Sequence, residues 1–274
     1  MISLKGSLQK MRVQWGDVIQ YELPVGRTHL PLNALMGEQL RLKFTGFISC
    51  IHCDRKITKT FNQGYCFPCF RQLAACDLCI LKPELCHYFK GTCREPTWGE
   101  AHCMQPHIVY LANTGDLKIG LTRGSQIPTR WIDQGAQQAL PILRTSRRQI
   151  AGFVEAAFKK IISDQTQWRK MLAGKAEFID LTKKRDWIFN EKKDIIESVR
   201  SQFKAEDVEL LEDENEIEIN YPVQSYPSKI QSLSLDKEGE IGGKLVGMKG
   251  QYLIFDTGVI NIRKFAGYEV MVSL

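Results

Sequence analysis

The sequence lacks the runs and fingerprints that place a protein quickly. No stretch approaches the roughly 18 uninterrupted apolar residues a membrane span needs, and the opening MISLKGSLQKMRVQW has no apolar run of the kind a secretory signal carries. The expectation is a cytoplasmic protein with no membrane contact. There is no P-loop, no Gly-x-Gly-x-x-Gly after a strand and no His-Glu-x-x-His, which removes the commonest nucleotide and zinc-protease sites. Histidine is scarce: the five in 274 residues form no nucleophile arrangement recognisable from spacing. Internal repeats and low-complexity tracts are missing as well. With 43% hydrophobic and 25% charged residues, the composition excludes disordered and collagen-like classes.

Cysteine, by contrast, is abundant, with nine residues, all between positions 50 and 103. In a reducing compartment paired cysteines hold metal more often than they hold each other. Cys50-Ile51-His52-Cys53 and Cys66-Phe67-Pro68-Cys69 are two Cys-x2-Cys knuckles twelve residues apart. Each knuckle turns two thiolates to one side, and four thiolates at about 2.3 Å complete a tetrahedral zinc with no open position for substrate. That predicts a structural ion. Cys76-Asp77-Leu78-Cys79 is a third knuckle, followed by Cys86, Cys93 and Cys103, with His87 and His102 nearby. A second zinc on Cys76, Cys79, Cys86 and Cys93 is the expected use, with His87 or Cys103 as alternates. A cross-braced arrangement and an iron–sulfur cluster are further options. Metal binding supplies folding free energy in such a segment, because residues 50–103 have too few aliphatic residues for a core of their own.

Around this module the pattern is mixed. Met11–Trp15 and Leu40–Phe44 alternate apolar and polar residues as strands do. Ile108–Ala112 and Leu117–Leu121 read as two strands joined by Asn113-Thr114-Gly115-Asp116, a turn able to supply positive φ. Ile150, Val154, Ala157, Phe158, Ile161 and Ile162 mark one helix face, and residues 183–203 repeat that period with Ile188, Ile195, Ile196 and Val199. The tail, from Lys244–Gly247 through Tyr252–Phe255 and Val259–Ile262 to Tyr268–Val272, predicts a small β-barrel or meander. The fold class expected is therefore α+β. Five segments are predicted: a β-rich N-terminal segment (1–48), the cysteine-rich zinc module (49–105), a small α/β domain (106–182), a helix with an acidic linker (183–220) and a β-rich C-terminal segment (221–274).

Charge is uneven. Residues 116–204 hold eighteen Lys and Arg against ten Asp and Glu, whereas residues 206–218 hold eight acids and no base. A basic module predicts a phosphate-bearing partner, RNA or DNA, with Arg123, Arg130, Arg144, Arg147 and Arg148 as candidate contacts. Two solvated surfaces that balance each other are the plain alternative.

The segment Pro106-His107-Ile108-Val109-Tyr110-Leu111, then Lys118-Ile119-Gly120-Leu121-Thr122-Arg123, then Arg130, resembles the core of the GIY-YIG nuclease superfamily, in the branch that carries Lys-Ile-Gly. The resemblance spans roughly residues 107–162. It implies that Tyr110, Gly120, Arg130 and Glu155 occupy the positions of the family's tyrosine, glycine, arginine and metal-holding glutamate. Lys118 stands where the founders have a second tyrosine, so the implied catalytic set is Tyr110, Lys118, Arg130 and Glu155, with magnesium as cofactor. Ile108 stands where the first motif has glycine, and Gln134 where many members have histidine. The whole run, CIHC…GYCFPCF…CDLC…CHYFKGTCREP, TRGSQIPTRWIDQGA and GVINIRKFAGYEV, resembles the bacterial domain-of-unknown-function family 2797, which implies no activity. Three functions follow as expectations: a zinc protein that binds nucleic acid, a magnesium-dependent phosphodiesterase, or a zinc-scaffolded adaptor for a protein partner.

Overall fold

A computed structural model describes residues 3–274 of the chain, which divides into two compact units. One runs up to Arg71 and adds Leu172–Gly174 and Asn220–Leu274; the other comprises Gln72–Met171 and Lys175–Ile219.

In the first unit, the strand Gln39–Ser49 alternates as its sequence asks, with Leu40 and Leu42 inward and Gln39, Arg41 and Lys43 outward. It lies between Tyr268–Ser273 and Glu240–Lys249, and the antiparallel sheet continues through Ser3–Ser7 on one side and Tyr252–Phe255 and Gly258–Asn261 on the other. The N- and C-terminal β segments, read from sequence as separate pieces, therefore share one sheet. Edge strands left unpaired expose a row of backbone donors and acceptors, and each segment supplies the partners the other lacks. A smaller three-stranded sheet is built from Arg12–Gln14, Gln20–Val25 and Thr28–Pro31.

The second unit carries an antiparallel sheet in the order Val208–Leu210, Gln138–Thr145, His107–Asn113, Leu117–Arg123. Its hairpin turns at Gly115, whose φ of 103° lies where side chains are strained. The helix Arg148–Phe158 buries Ile150, Val154 and Phe158 against Val109, Leu111, Ile119 and Leu140. Each such side chain contributes about 1.5–3 kcal/mol when removed from water. This helix ends at Phe158, short of the expected Ile161, which is exposed.

Two further expectations are revised. The single long helix of residues 183–203 is two, Leu181–Glu191 and Lys193–Arg200, broken at Lys192; Ile188, Ile196 and Val199 still reach the common core. The acidic linker is built into the sheet: Val208–Leu210 and Ile217–Glu218 both pair with Gln138–Thr145, and the Glu216 carboxylate accepts from Gln138 Nε2 and the Leu181 amide. Acids that accept internal donors serve the fold, and local charge pattern could not show this. Among the described residues no helix is long and apolar enough to cross a membrane.

Candidate functional site

Clusters of chemically useful side chains form in both units. In the second unit the central strand alternates: Val109 and Leu111 join the apolar core, while Tyr110 does not. Tyr110 lies opposite Gly120 in the ladder. A Cβ at position 120 would stand 2.8 Å from the Tyr110 hydroxyl, so only glycine leaves room for the phenol there. Lys118, two residues earlier on the same strand, is 4% exposed.

The short helix Thr129–Asp133 brings Arg130 to this point, with Gln134 at its C-terminal cap and Trp131 edge-on to the Tyr110 ring. The Arg130 guanidinium lies close enough for its charge to act on the Tyr110 hydroxyl. The Gln134 amide oxygen accepts from Tyr110 Oη and from Lys118 Nζ, each at 3.0 Å. Lys118 also lies 3.5 Å from Thr166 Oγ1. The helix Arg148–Phe158 adds Glu155, close enough for its charge to act on both Tyr110 and Lys118, and Asp164 acts on Lys118 and Glu155.

The electrostatics follow from burial. Loss of hydration drives the Lys118 ammonium down to about 8, reinforced by the Arg130 charge and opposed by Glu155 and Asp164. The same cause lifts the Glu155 carboxyl to about 7, against the pull of Lys118. Burial also raises the Tyr110 phenol to about 12, with Arg130 opposing, so it keeps its proton at neutral pH. Titratable groups displaced toward neutrality from both sides and held within one network mark functional sites more often than surfaces.

The structure thus brings Tyr110, Lys118, Gly120, Arg130 and Glu155 together. Sequence reading did not single out Gln134, Asp164 or Thr166 as parts of a site. The four-residue step from Arg130 to Gln134 was the available signal for Gln134; Asp164 and Thr166 left none. The five arginines are engaged to different degrees. Arg148 donates to the Cys79 and Ile80 carbonyls at 3.2 and 2.7 Å, and Arg147 pairs with Asp207 and lies over the Phe89 and Phe203 rings. Arg144 is exposed and Arg123 half-buried.

In the first unit, Cys50 directly follows the long strand, Asp54 at φ 55° turns the chain, and Cys66 opens onto the helix Phe67–Gln72. The sulfurs of Cys50, Cys53, Cys66 and Cys69 all lie within 4.8 Å of one another, and the Cys66 amide donates to Cys50 Sγ at 3.2 Å. Burial pushes the Cys50 thiol up, but amides of Cys53, Cys66 and His52 outweigh it and bring it down to about 6. Cys53 and Cys66 are 3.8 Å apart. A tetrahedron of sulfurs 2.3 Å from its centre has edges of about 3.8 Å, so the set fits a structural metal ion.

The remaining cysteines are arranged differently from the expected Cys76, Cys79, Cys86 and Cys93. Cys79, Cys86, Cys93 and Cys103 line one cavity together with Asp77 and His87, and Cys76 is not among its lining residues. Cys76 precedes the turn that points Cys79 inward, which spacing alone cannot reveal.

The model of a family described as "Protein of unknown function (DUF2797)" matches residues 37–270, and the chain belongs to that family. No curated protein and no solved structure matches it.

Proposed function

We propose that this DUF2797 protein is a phosphodiesterase acting on nucleic acid, with Lys118, Arg130 and Glu155 as its working groups and a GIY-YIG-like hairpin and helix as their frame. The observation that carries the reading is the convergence of five residues from two strands and two helices: Gln134 hydrogen-bonds both Tyr110 and Lys118, and the charges of Arg130 and Glu155 act on both. Arg130 grips a phosphate oxygen through its planar guanidinium. Lys118, near 8, is neutral often enough at physiological pH to take a proton. The water oxygen forms the new bond to phosphorus, and the bond from phosphorus to the leaving ester oxygen breaks. The water's proton passes to Lys118, and the leaving oxygen takes one from solvent. Tyr110, protonated throughout, positions Arg130 and Gln134.

Glu155 and Asp164 are oxygen donors of the hard kind magnesium prefers, and burial with too little compensating charge leaves Glu155 raised to about 7, which a cation would relieve. Magnesium held there would supply charge stabilisation at the phosphate. The Cys50, Cys53, Cys66 and Cys69 set holds zinc as a scaffold.

The test is cleavage of single- and double-stranded RNA and DNA with and without magnesium. Lys118→Met and Glu155→Gln should each lower the rate by about 10²–10⁴-fold, and the wild-type rate should climb with pH through about 8. Cleavage that survives both substitutions overturns the proposal. A second reading, binding without cleavage, is favoured by the burial of Tyr110 and Lys118, 0% and 4% exposed. It requires affinity falling by about 0.9 log unit per log unit of salt for each duplex phosphate neutralised, with no product.

A further inference from the structure

The segment between residues 77 and 93 is folded inside out. It consists of three single turns, Leu78–Ile80, Pro83–Leu85 and Tyr88–Lys90. Its large apolar side chains face water: Leu78 is 56% exposed, Leu81 78%, Leu85 51% and Phe89 68%. Burial of apolar surface therefore does not hold it together. What it turns inward is sulfur. Cys79, Cys86, Cys93 and Cys103 all line the same cavity.

The rival donors around that cavity are already engaged. Asp77 caps the first turn by accepting from the Cys79 amide at 3.1 Å, and it pairs with Arg94 at 2.7 Å. His87 has Thr92 Oγ1 2.7 Å from Nδ1 and Asp77 Oδ1 3.5 Å from Nε2, so both ring nitrogens have neighbours. Although Asp77, Cys79 and His87 lie within 4.8 Å of one another, a metal on that trio would take Asp77 from its cap and its arginine. The four sulfurs that line the cavity are the donors that remain; they are not drawn within 4.8 Å of one another as the first set is, so an ion has to pull them together.

We propose that Cys79, Cys86, Cys93 and Cys103 bind a second, soft divalent ion, zinc by ligand chemistry, and that this ion holds the turns against the helix Arg148–Phe158. The attachment is visible. The Arg148 side chain donates to the Cys79 and Ile80 carbonyls, its amide donates to the Cys103 carbonyl at 2.9 Å, and Gln149 Nε2 donates to the Cys86 carbonyl at 2.8 Å. Gly152 lies so close to the turn at Pro83 that a Cβ would come within 2.5 Å. Three of the four ligand residues thus have their backbone carbonyls fixed by the first turn of that helix.

Elemental analysis of the purified full chain tests this without reference to any activity. The wild type should carry two zinc ions, Cys103→Ser one and Cys76→Ser two. One ion in the wild type overturns the proposal, as does loss of an ion from Cys76→Ser with retention in Cys103→Ser. Should Cys103→Ser fail to fold, cadmium-113 NMR of the cadmium-loaded wild type decides. Coupling of the second resonance to the β-protons of Cys79, Cys86, Cys93 and Cys103 supports the site; coupling to Cys76 or to a His87 ring proton overturns it. In the one-ion variant, amide exchange across Arg148–Phe158 should speed up at least tenfold, and unchanged protection overturns the attachment.

Discussion

The thiolate set at Cys50–Cys69 and the Tyr110–Lys118–Glu155 network both gather reactive groups, most of them buried, and to opposite ends. The four sulfurs surround a single point, and an ion placed there satisfies them all, so the arrangement closes on itself. The network gathers an ammonium, a guanidinium and a carboxyl whose charges only partly compensate, and the residue of that mismatch appears as a lysine near 8 and an acid near 7. Burial with matched valence builds scaffold; burial with unmatched charge stores reactivity at a cost in stability.

The sharpest way to break this contrast is to remove one sulfur. Cys53→Ser, or a strong chelator, should abolish protease resistance and amide protection across residues 50–69. The loss should be several kcal/mol, given that structural zinc in small finger peptides supplies about 10–16 kcal/mol. If that segment stays protected in metal-free protein, the thiolates are ordinary core residues and the contrast collapses.

The second expectation runs the other way. Lys118→Met removes a buried charge and should raise the free energy of unfolding by on the order of 1–3 kcal/mol, while cleavage is lost and zinc content is unchanged. A variant that is both inactive and less stable would show Lys118 to be structural.

Acid separates the regions a third way. His107, 2% exposed at the head of the Tyr110 strand, is held down to about 4 by burial, helped by Arg148 and Arg123 and opposed by the Gln105 carbonyl. The unfolded chain takes up this proton near 6.5 and the folded chain only near 4. Stability is therefore complete above 6.5 and falls as pH drops toward 4, by up to about 3 kcal/mol. Denaturant melts of wild type and His107→Gln between pH 7.5 and 5 read this directly: the variant should lose this part of the slope, and identical slopes refute the assignment. The smallest effect belongs to Tyr110→Phe. It deletes one donor to Gln134, costing about 1–3 kcal/mol, and the cleavage rate should fall less than in Lys118→Met. An equal fall would give the phenol a direct chemical role.

How much of this could be read from the chain depends on range. The first metal set was legible because each Cys-x2-Cys pair determines its own turn. The hairpin was legible too: Ile108–Ala112 and Leu117–Leu121 sit inside His107–Asn113 and Leu117–Arg123, with Gly115 at the positive φ the turn requires. The helix at Arg148 declared itself through Ile150, Val154 and Phe158. What stayed hidden was decided over distance. Pairing of Ser3–Ser7 with Tyr268–Ser273 leaves no local trace. Nor does the gathering of Cys103 with Cys79, Cys86 and Cys93 around one cavity, because single cysteines in separate turns meet only after the chain has packed. The acids of residues 206–218 looked like a solvated run because composition does not record that Glu216 and Asp207 have internal donors waiting.

One feature of the network constrains how it can vary. Tyr110 and Lys118 both spend a hydrogen on the same amide oxygen, and that oxygen has only two lone pairs to give. Phenol and amine are therefore yoked: any replacement at position 134 re-aims both at once, and neither can be adjusted by mutation or by selection without disturbing its neighbour.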